Sequence, residues 1–472
     1  MDTHATALQV AVAIRAGEVS PSEVLDEYLE RVDRINPALN AFSLRDDDRA
    51  RADARTADDV VAAARRDGTD LPPFTGVPIP IKDLDDVAGW VTTHGSRATP
   101  DVPAELDQLV VGRFRRAGFV LMGKTTTPEF GAISRTESLR LGVTRNPWNI
   151  DHTPGGSSGG AAASVASGMA PVAHASDGGG SIRIPASCTG LVGLKASRGR
   201  ITNRVYGVVG ASTSGVLTRD VADAAALLDV MSELDTGAWN VAPLRSDSYA
   251  AEVGRDPGRL RIRVCVDNAL SIPVDAECAA AATSVADTLS DLGHDVTAAA
   301  PDWPDAGEFI THFVTIWNTL PILNTVTDEA LLEPHNAAAF AAARATDAFA
   351  YLGADAALQA ASRLLTAQFG PDGDFDLLVT PTMAVEPPRA GEAMAGVEDS
   401  PTAPVMNSIP MACYTSMFNA TGQPAISVPA HVTASGLPVG VQIVAPPWRE
   451  DILVRVASQL EAARPWAALP VL

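Results

Sequence analysis

The chain has 472 residues, of which 46% are hydrophobic and 19% charged, enough apolar material for a large core and too much for a disordered polymer. Its formal net charge of −22 argues against nucleic acid, whose phosphates are held by Lys and Arg, and against an anionic membrane surface. The length fits several domains or one large α/β unit, so it does not fix the organisation.

The first third reads as helical. Ser20-Pro-Ser-Glu23 is a capping-box pattern with proline at the first helical position. From Val24 to Ile35 the apolar residues recur at i, i+3 and i+4, which predicts one amphipathic helix. Asp46 to Arg66 is charged and alanine-rich and predicts a second, more exposed helix. Gly76-Val-Pro-Ile-Pro-Ile-Lys82 is a short β-type run ending on a charge, and Phe119 to Met122 is a buried-strand pattern. Ala161 to Ala166 predicts a helix of small residues and Met169 to Ala175 a strand. The second half repeats the alternation: strands at Leu260–Val266, Phe375–Thr380, Ile426–Pro429 and Val439–Val444, with a helix over Asp275–Leu292. Strands alternating with helices predict an α/β sheet with helices on its faces. Pro371 to Pro404, rich in Pro, Gly, Asp and Glu, reads as a loop over a site.

The cysteines (Cys188, Cys265, Cys278, Cys413) form neither a CxxC pair nor a metal-ligand cluster and read as buried thiols of a reducing compartment. No basic region followed by an apolar stretch opens the chain, and no apolar run is long enough to span a bilayer, so a cytoplasmic location is expected.

Two motif matches point to the wrong chemistry. Gly118-Phe-Val-Leu-Met-Gly-Lys-Thr125 has Walker A spacing, but its interior is four large apolar residues that favour a strand followed by a polar turn, not a phosphate-cradling loop. Gly155-Gly-Ser157-Ser-Gly159 fits the nucleophile elbow of α/β-hydrolases. The preceding Ile150 to Pro154 is a poor strand, however, and none of His174, His294, His312, His335 and His431 sits in a distinctive context.

The informative region is the run Thr153-Pro-Gly-Gly-Ser-Ser-Gly-Gly160, followed 21 residues later by Ser181 in Ser176-Asp-Gly-Gly-Gly-Ser-Ile-Arg-Ile-Pro185. Nucleophilic serine chemistry needs a hydroxyl, a base, and N–H groups aimed at a developing oxyanion. Three glycines ahead of a serine let the backbone approach a carbonyl and direct several amides at it.

These stretches, with Gly76-Val-Pro-Ile-Pro-Ile-Lys-Asp83, Thr93-His-Gly-Ser96, Thr144-Arg-Asn-Pro-Trp148, Gly190-Leu-Val-Gly-Leu-Lys195, Thr421-Gly-Gln-Pro-Ala425 and Gly436-Leu-Pro-Val-Gly-Val-Gln442, resemble the amidase signature family, in order and through most of the chain. The Gly-Gly-Gly-Ser-Ile-Arg-Ile-Pro-Ala-Ser text looks closer to the branch that includes cyclic-amide and aryl-amide hydrolases than to the glutaminyl-tRNA amidotransferase subunit of the family. Gly178, Thr126 and Ala196 depart from commoner family residues and lie off the catalytic positions.

The resemblance implies an α/β/α sandwich around a large twisted mixed sheet. It implies a single domain over 1–472, with a helical segment to about 66, a catalytic core over about 67–230 and pocket segments over about 231–472. The implied triad is Lys82 as base, Ser157 as bridge after a cis peptide bond, and Ser181 as nucleophile. Such a lysine works only if neutral, so burial near Ile79 and Ile81 must lower its pKa from about 10.4. The amides of Gly178, Gly179, Gly180 and Ser181 are the expected oxyanion hole, and Ser158, Asp177 and Arg183 are expected to support it. Cys188, seven residues past Ser181, reads as a small buried hydrophobe. No metal or cofactor is implied. The expected substrate is a small neutral, partly apolar amide, with carbamates and esters as alternatives, and monomer or homodimer is left open. Pocket residues are expected in Tyr206–Ser214, in Phe309–Leu323 with Trp317, and in Val405–Phe418.

Overall fold

The computed structural model describes residues 2–203, 210–470 and 472. Three short strands, β1 (Phe42–Leu44), β2 (Pro78–Lys82) and β3 (Val120–Thr125), form a sheet in the order β1-β3-β2, with β2 and β3 parallel. The Ser20–Glu23 capping box is formed and starts a helix over Pro21–Leu39; the second helix runs Asp47–Asp67. A ribbon of β4 (Glu137–Ser138) and β5 (Gly142–Val143) follows.

The main sheet has eight strands: β6 (Ala173–Asp177), β7 (Val192–Lys195), β8 (Thr213–Thr218), β9 (Arg261–Val264), β10 (Asp295–Ala298), β11 (Leu377–Pro381), β12 (Ala425–Val432) and β13 (Pro438–Val444). Their order is β10-β9-β11-β13-β12-β7-β8-β6. The β9–β10 and β9–β11 pairs are parallel and the others antiparallel, so the sheet is mixed. Alternation along the strands sends neighbours into different cores. Val216 joins the helices Val221–Met231, Ala276–Asp291 and Glu450–Ala463, whereas Leu217 joins Gly159–Ala166 and Ile182 on the other side. Every residue of β13 is buried, as a strand covered on both faces requires. The expected layered α/β architecture is present.

Three details differ from the sequence reading. β6 starts at Ala173 rather than near Met169, since Pro171 has no N–H for a ladder. β3 continues through Gly123-Lys124-Thr125 instead of turning, because the Lys124 ammonium is met at 2.9 Å by buried Asp83 and at 2.6 Å by Thr92 Oγ1. That lysine is committed to an internal ion pair, which removes the Walker A reading. Finally, 306–366 holds the helices Ala306–Trp317, Pro334–Ala345 and Ala348–Thr366, which the sequence reading did not assign. All four cysteines are buried and unpaired.

Candidate active site

β2 is the apolar rail that carries Lys82 inward. Pro78, Ile79, Pro80 and Ile81 are all buried, and Lys82 at its end is fully buried too. Its Nζ lies 2.7 Å from Ser157 Oγ, 3.2 Å from Ser176 Oγ and 3.4 Å from Ser176 O. Burial pulls the Lys82 pKa down to about 7, against the opposing attraction of Asp85 and Asp177. The Lys82 backbone N–H donates to His174 Nδ1 at 3.3 Å. Burial and the nearby lysines depress that imidazole to about 3, so it is a neutral acceptor.

Ser157 sits where the glycine–serine run turns into the helix Gly159–Ala166, and the Gly156–Ser157 peptide is cis. Thr136 Oγ1 braces the turn, donating to Gly155 O at 2.8 Å and accepting from Gly159 N at 2.9 Å. Ser158 Oγ donates to Ser176 O at 3.2 Å and so joins the run to the end of β6.

Beyond β6 the chain forms the glycine loop. The Asp177 carboxylate accepts from Gly180 N at 2.7 Å, Ile182 N at 3.1 Å, and Arg183 through Nη2 at 2.9 Å and Nε at 3.0 Å. Although buried, it is held well below the ordinary carboxylate range by the Arg183 guanidinium. Arg183 in turn reaches Gln442 Oε1 and Asn419 Oδ1, each at 2.6 Å, and Thr415 O at 3.0 Å. Thr415 Oγ1 donates to Gly179 O at 2.6 Å. Gly180 has φ +133°, and a Cβ there would lie 2.3 Å from Thr415 Oγ1, so only glycine fits.

This clamp revises the expected oxyanion hole. The Gly180 N–H already points at Asp177, whereas the N–H groups of Gly178, Gly179 and Ser181 have no partner among the described residues. Three of the four expected donors are therefore available.

Ser181 opens onto a cavity of about 430 Å³, walled by Gly131, Ile133, Phe313, Trp317 and Met406 among others. Among the described residues its lining contains no Lys, Arg, Asp or Glu. The structure thus brings Lys82 and Ser157 into contact and sets Ser181 in the cavity wall; no hydrogen bond joins the two serine hydroxyls among the described residues. Two of the expected pocket segments, Phe309–Leu323 and Val405–Phe418, do line it; in the third, Tyr206 to Val209 lie outside the described residues. Trp317 is both pocket wall and packing, stacked on Phe313 at 5.6 Å.

Sequence reasoning missed Ser176, Thr415, Asn419 and Gln442 as parts of the site. The first lies inside the Ser176–Pro185 motif, Gln442 ends the Gly436–Gln442 motif, and Asn419 lies two residues before Thr421–Ala425, so the signal was present or adjacent without an assignment. Cys188 is buried against Met383, and burial pushes its thiol far up, which disfavours the reactive thiolate. None of the five downstream histidines bonds to Ser157 or Ser181; His294 bridges Leu260 N and Gln459, and His431 pairs with Glu277. Among the described residues, no group of three or more His, Cys, Asp and Glu could hold a metal ion, and no helix is long and apolar enough to cross a membrane.

A layered α/β fold with a buried lysine against a serine beside a glycine loop is an arrangement for acyl transfer, and the amidase family model matches residues 23–454. The chain belongs to the amidase family and is a hydrolase of carbon–nitrogen bonds other than peptide bonds. It is 36% identical to the 6-aminohexanoate-cyclic-dimer hydrolase of Pseudomonas sp. (strain NK87), over 99% of this chain and 96% of that protein. A solved structure of 6-aminohexanoate cyclic dimer hydrolase complexed with substrate superposes with a TM-score of 0.91 at 36% identity, covering 99% of this chain and 98% of that one. The native peptide amidase of Stenotrophomonas maltophilia superposes with a TM-score of 0.79 at 26% identity, covering 98% of each chain.

Proposed function

We propose that the protein hydrolyses a neutral, partly apolar amide through an acyl-enzyme on Ser181, with Ser157 and Lys82 as the proton relay. The observation that carries this reading is the 2.7 Å contact between a fully buried, weakly basic Lys82 and Ser157, beside a cavity that exposes Ser181. When a carbonyl enters, the Ser181 hydroxyl turns to Ser157 and forms the hydrogen bond that the relay needs. Ser181 Oγ then bonds to the carbonyl carbon. Its proton passes to Ser157 Oγ, whose own proton passes to Lys82 Nζ. The carbonyl oxygen takes up the negative charge against the free amides of Gly178, Gly179 and Ser181. As the C–N bond breaks, the proton returns through Ser157 to the leaving amine. Water then attacks the ester on Ser181 by the same relay and releases the acid.

Asp177 and Arg183 hold the loop without touching substrate. The device needs no cofactor, and the chain acts as one catalytic unit in the cytoplasm, as monomer or homodimer. Carbamates and esters present the same carbonyl and are the substrates to compare with amides. A fluorophosphonate probe with peptide mapping should label Ser181 in the wild type. Label on another residue, or full amide hydrolysis by Ser181→Ala, would overturn the proposal.

A further inference from the structure

Residues 131–134 form one wall of the Ser181 cavity, and this wall runs against the bridging serine. A Cβ on Gly131 would lie 3.0 Å from Ser157 Oγ, and a Cβ on Gly156 would lie 2.9 Å from the carbonyl carbon of Ser134. The segment and the turn that carries Ser157 are therefore in contact. The Ser134 N–H donates to Ser408 Oγ at 3.1 Å, and Ser408 Oγ donates in turn to Pro404 O at 3.0 Å. The Ser134 hydroxyl itself makes no hydrogen bond among the described residues. Although the residue is buried, its hydroxyl oxygen is not sealed off, so its open surface lies on the cavity that Ser134 lines. The other polar side chains of the wall offer less. Ser408 Oγ is engaged as donor and as acceptor, Ser416 Oγ donates to Ala412 O at 3.1 Å, and the Trp317 indole N–H can donate but not accept.

The relay puts the leaving nitrogen on this wall. Ser157 returns the proton to that nitrogen, so the nitrogen must come within hydrogen-bond reach of Ser157 Oγ, where Gly131 closes in. Once Ser181 Oγ has bonded to the carbonyl carbon, the nitrogen of a secondary amide is tetrahedral, with one N–H and one lone pair. Protonation requires the lone pair to face Ser157. An acceptor that takes the N–H fixes that orientation. An ester oxygen carries no hydrogen and gains nothing from such an acceptor.

We infer that Ser134 is a specificity-determining residue: its hydroxyl accepts the N–H of the scissile amide, turns the nitrogen lone pair toward Ser157, and so raises cleavage of secondary amides relative to esters. This rests on the proposed roles of Ser157 and Ser181. The nitrogen keeps its own hydrogen, gains the proton from Ser157 as the C–N bond breaks, and leaves as a neutral amine, so no further reactant enters.

The test compares the p-nitroanilide and the p-nitrophenyl ester of one acyl chain, chosen among acetyl, butyryl and hexanoyl as the one whose anilide the wild type cleaves fastest. Both substrates form the same acyl-enzyme, and kcat/KM reports the steps that lead to it. Ser134→Ala should lower the anilide-to-ester ratio of kcat/KM at least tenfold. The hydroxyl it removes bonds to nothing in the fold, so the variant should melt near the wild-type temperature. Ser134→Thr keeps a hydroxyl and should hold the ratio within threefold of the wild type, whatever its absolute rate. An unchanged ratio in Ser134→Ala, or a ratio in Ser134→Thr as low as in Ser134→Ala, overturns the assignment and leaves the relay standing. Anilide hydrolysis that survives Ser181→Ala removes the proposed function and this assignment together.

Discussion

At the scale of single residues, the proposed mechanism makes the activity depend on the charge of one lysine. In that mechanism Lys82 is a base only when unprotonated, and burial lowers its pKa to about 7. We expect log kcat/KM to rise with pH through a midpoint near 7 and then level, since kcat/KM reports groups of the free enzyme. A midpoint near 10 would mean a solvated lysine. Lys82→Ala should lose about 10³-fold or more in kcat/KM with the fold intact by circular dichroism, given the size of general-base effects. The neighbouring carboxylate offers a finer test. Asp85 is buried, its pKa raised to about 6 by that burial, with Lys82, Lys124, Asp86 and His94 around it. Above that pH its negative charge favours protonated Lys82. Asp85→Asn removes the attraction, so the midpoint of the rate profile should move to lower pH. An unmoved or raised midpoint would show that Asp85 does not act on Lys82 through its charge.

At the scale of elements, the glycine loop is held by residues far off in sequence. Asp177 at the end of β6 is tied to Arg183, which reaches Asn419 and Gln442 236 and 259 positions later. Arg183→Ala would leave a fully buried carboxylate without its counter-ion, and the expected cost is about 3–5 kcal/mol of stability by urea unfolding. A loss below about 1 kcal/mol would mean that Asn419 and the backbone amides alone suffice for Asp177. These long spans explain what the sequence could and could not disclose. Lys82, Ser157, Ser181, Asp177 and Arg183 lie in short motifs whose composition suggests their chemistry, and strands such as β2 and β13 are mostly apolar runs, with Lys82 and Gln442 as their polar residues. Thr415 does its work through one hydroxyl set by tertiary packing, and no local pattern marks it. The helices over 306–366 were missed because alanine-rich stretches such as Pro334–Ala345 show little contrast between faces. The engaged Gly180 amide is likewise a matter of where Asp177 points, which composition does not record.

At the scale of the whole molecule, the helical 306–366 segment that walls the cavity is fastened to the N-terminal half through buried carboxylates. Glu129 accepts from Ser96 Oγ at 2.6 Å and from Glu333 N and Asn336 Nδ2 at 2.9 and 2.8 Å. Glu333 accepts from Leu139 N at 2.6 Å, while its Oε2 has no hydrogen-bond partner among the described residues and lies 4.0 Å from His335 Nδ1. Burial first, then repulsion from Glu129, raises the Glu333 pKa from 4.5 to about 8, with Arg97 pulling the other way. Near neutral pH this shift favours the uncharged acid. The sign of the stability effect follows from proton counts. Between pH 4.5 and about 8 the folded chain holds a proton on Glu333 that the unfolded chain has released, so stability falls as pH rises through that window. Glu333→Gln keeps an uncharged donor and acceptor but cannot ionise. The Lys82 titration is common to both proteins and cancels in the comparison. Thermal melts of the variant and the wild type at pH 6 and pH 9 should therefore show the variant gaining on the wild type at the higher pH. A difference in Tm that stays constant from pH 6 to 9 would mean that Glu333 titrates as an ordinary carboxylate, and that the cavity wall is not fastened through a neutral acid.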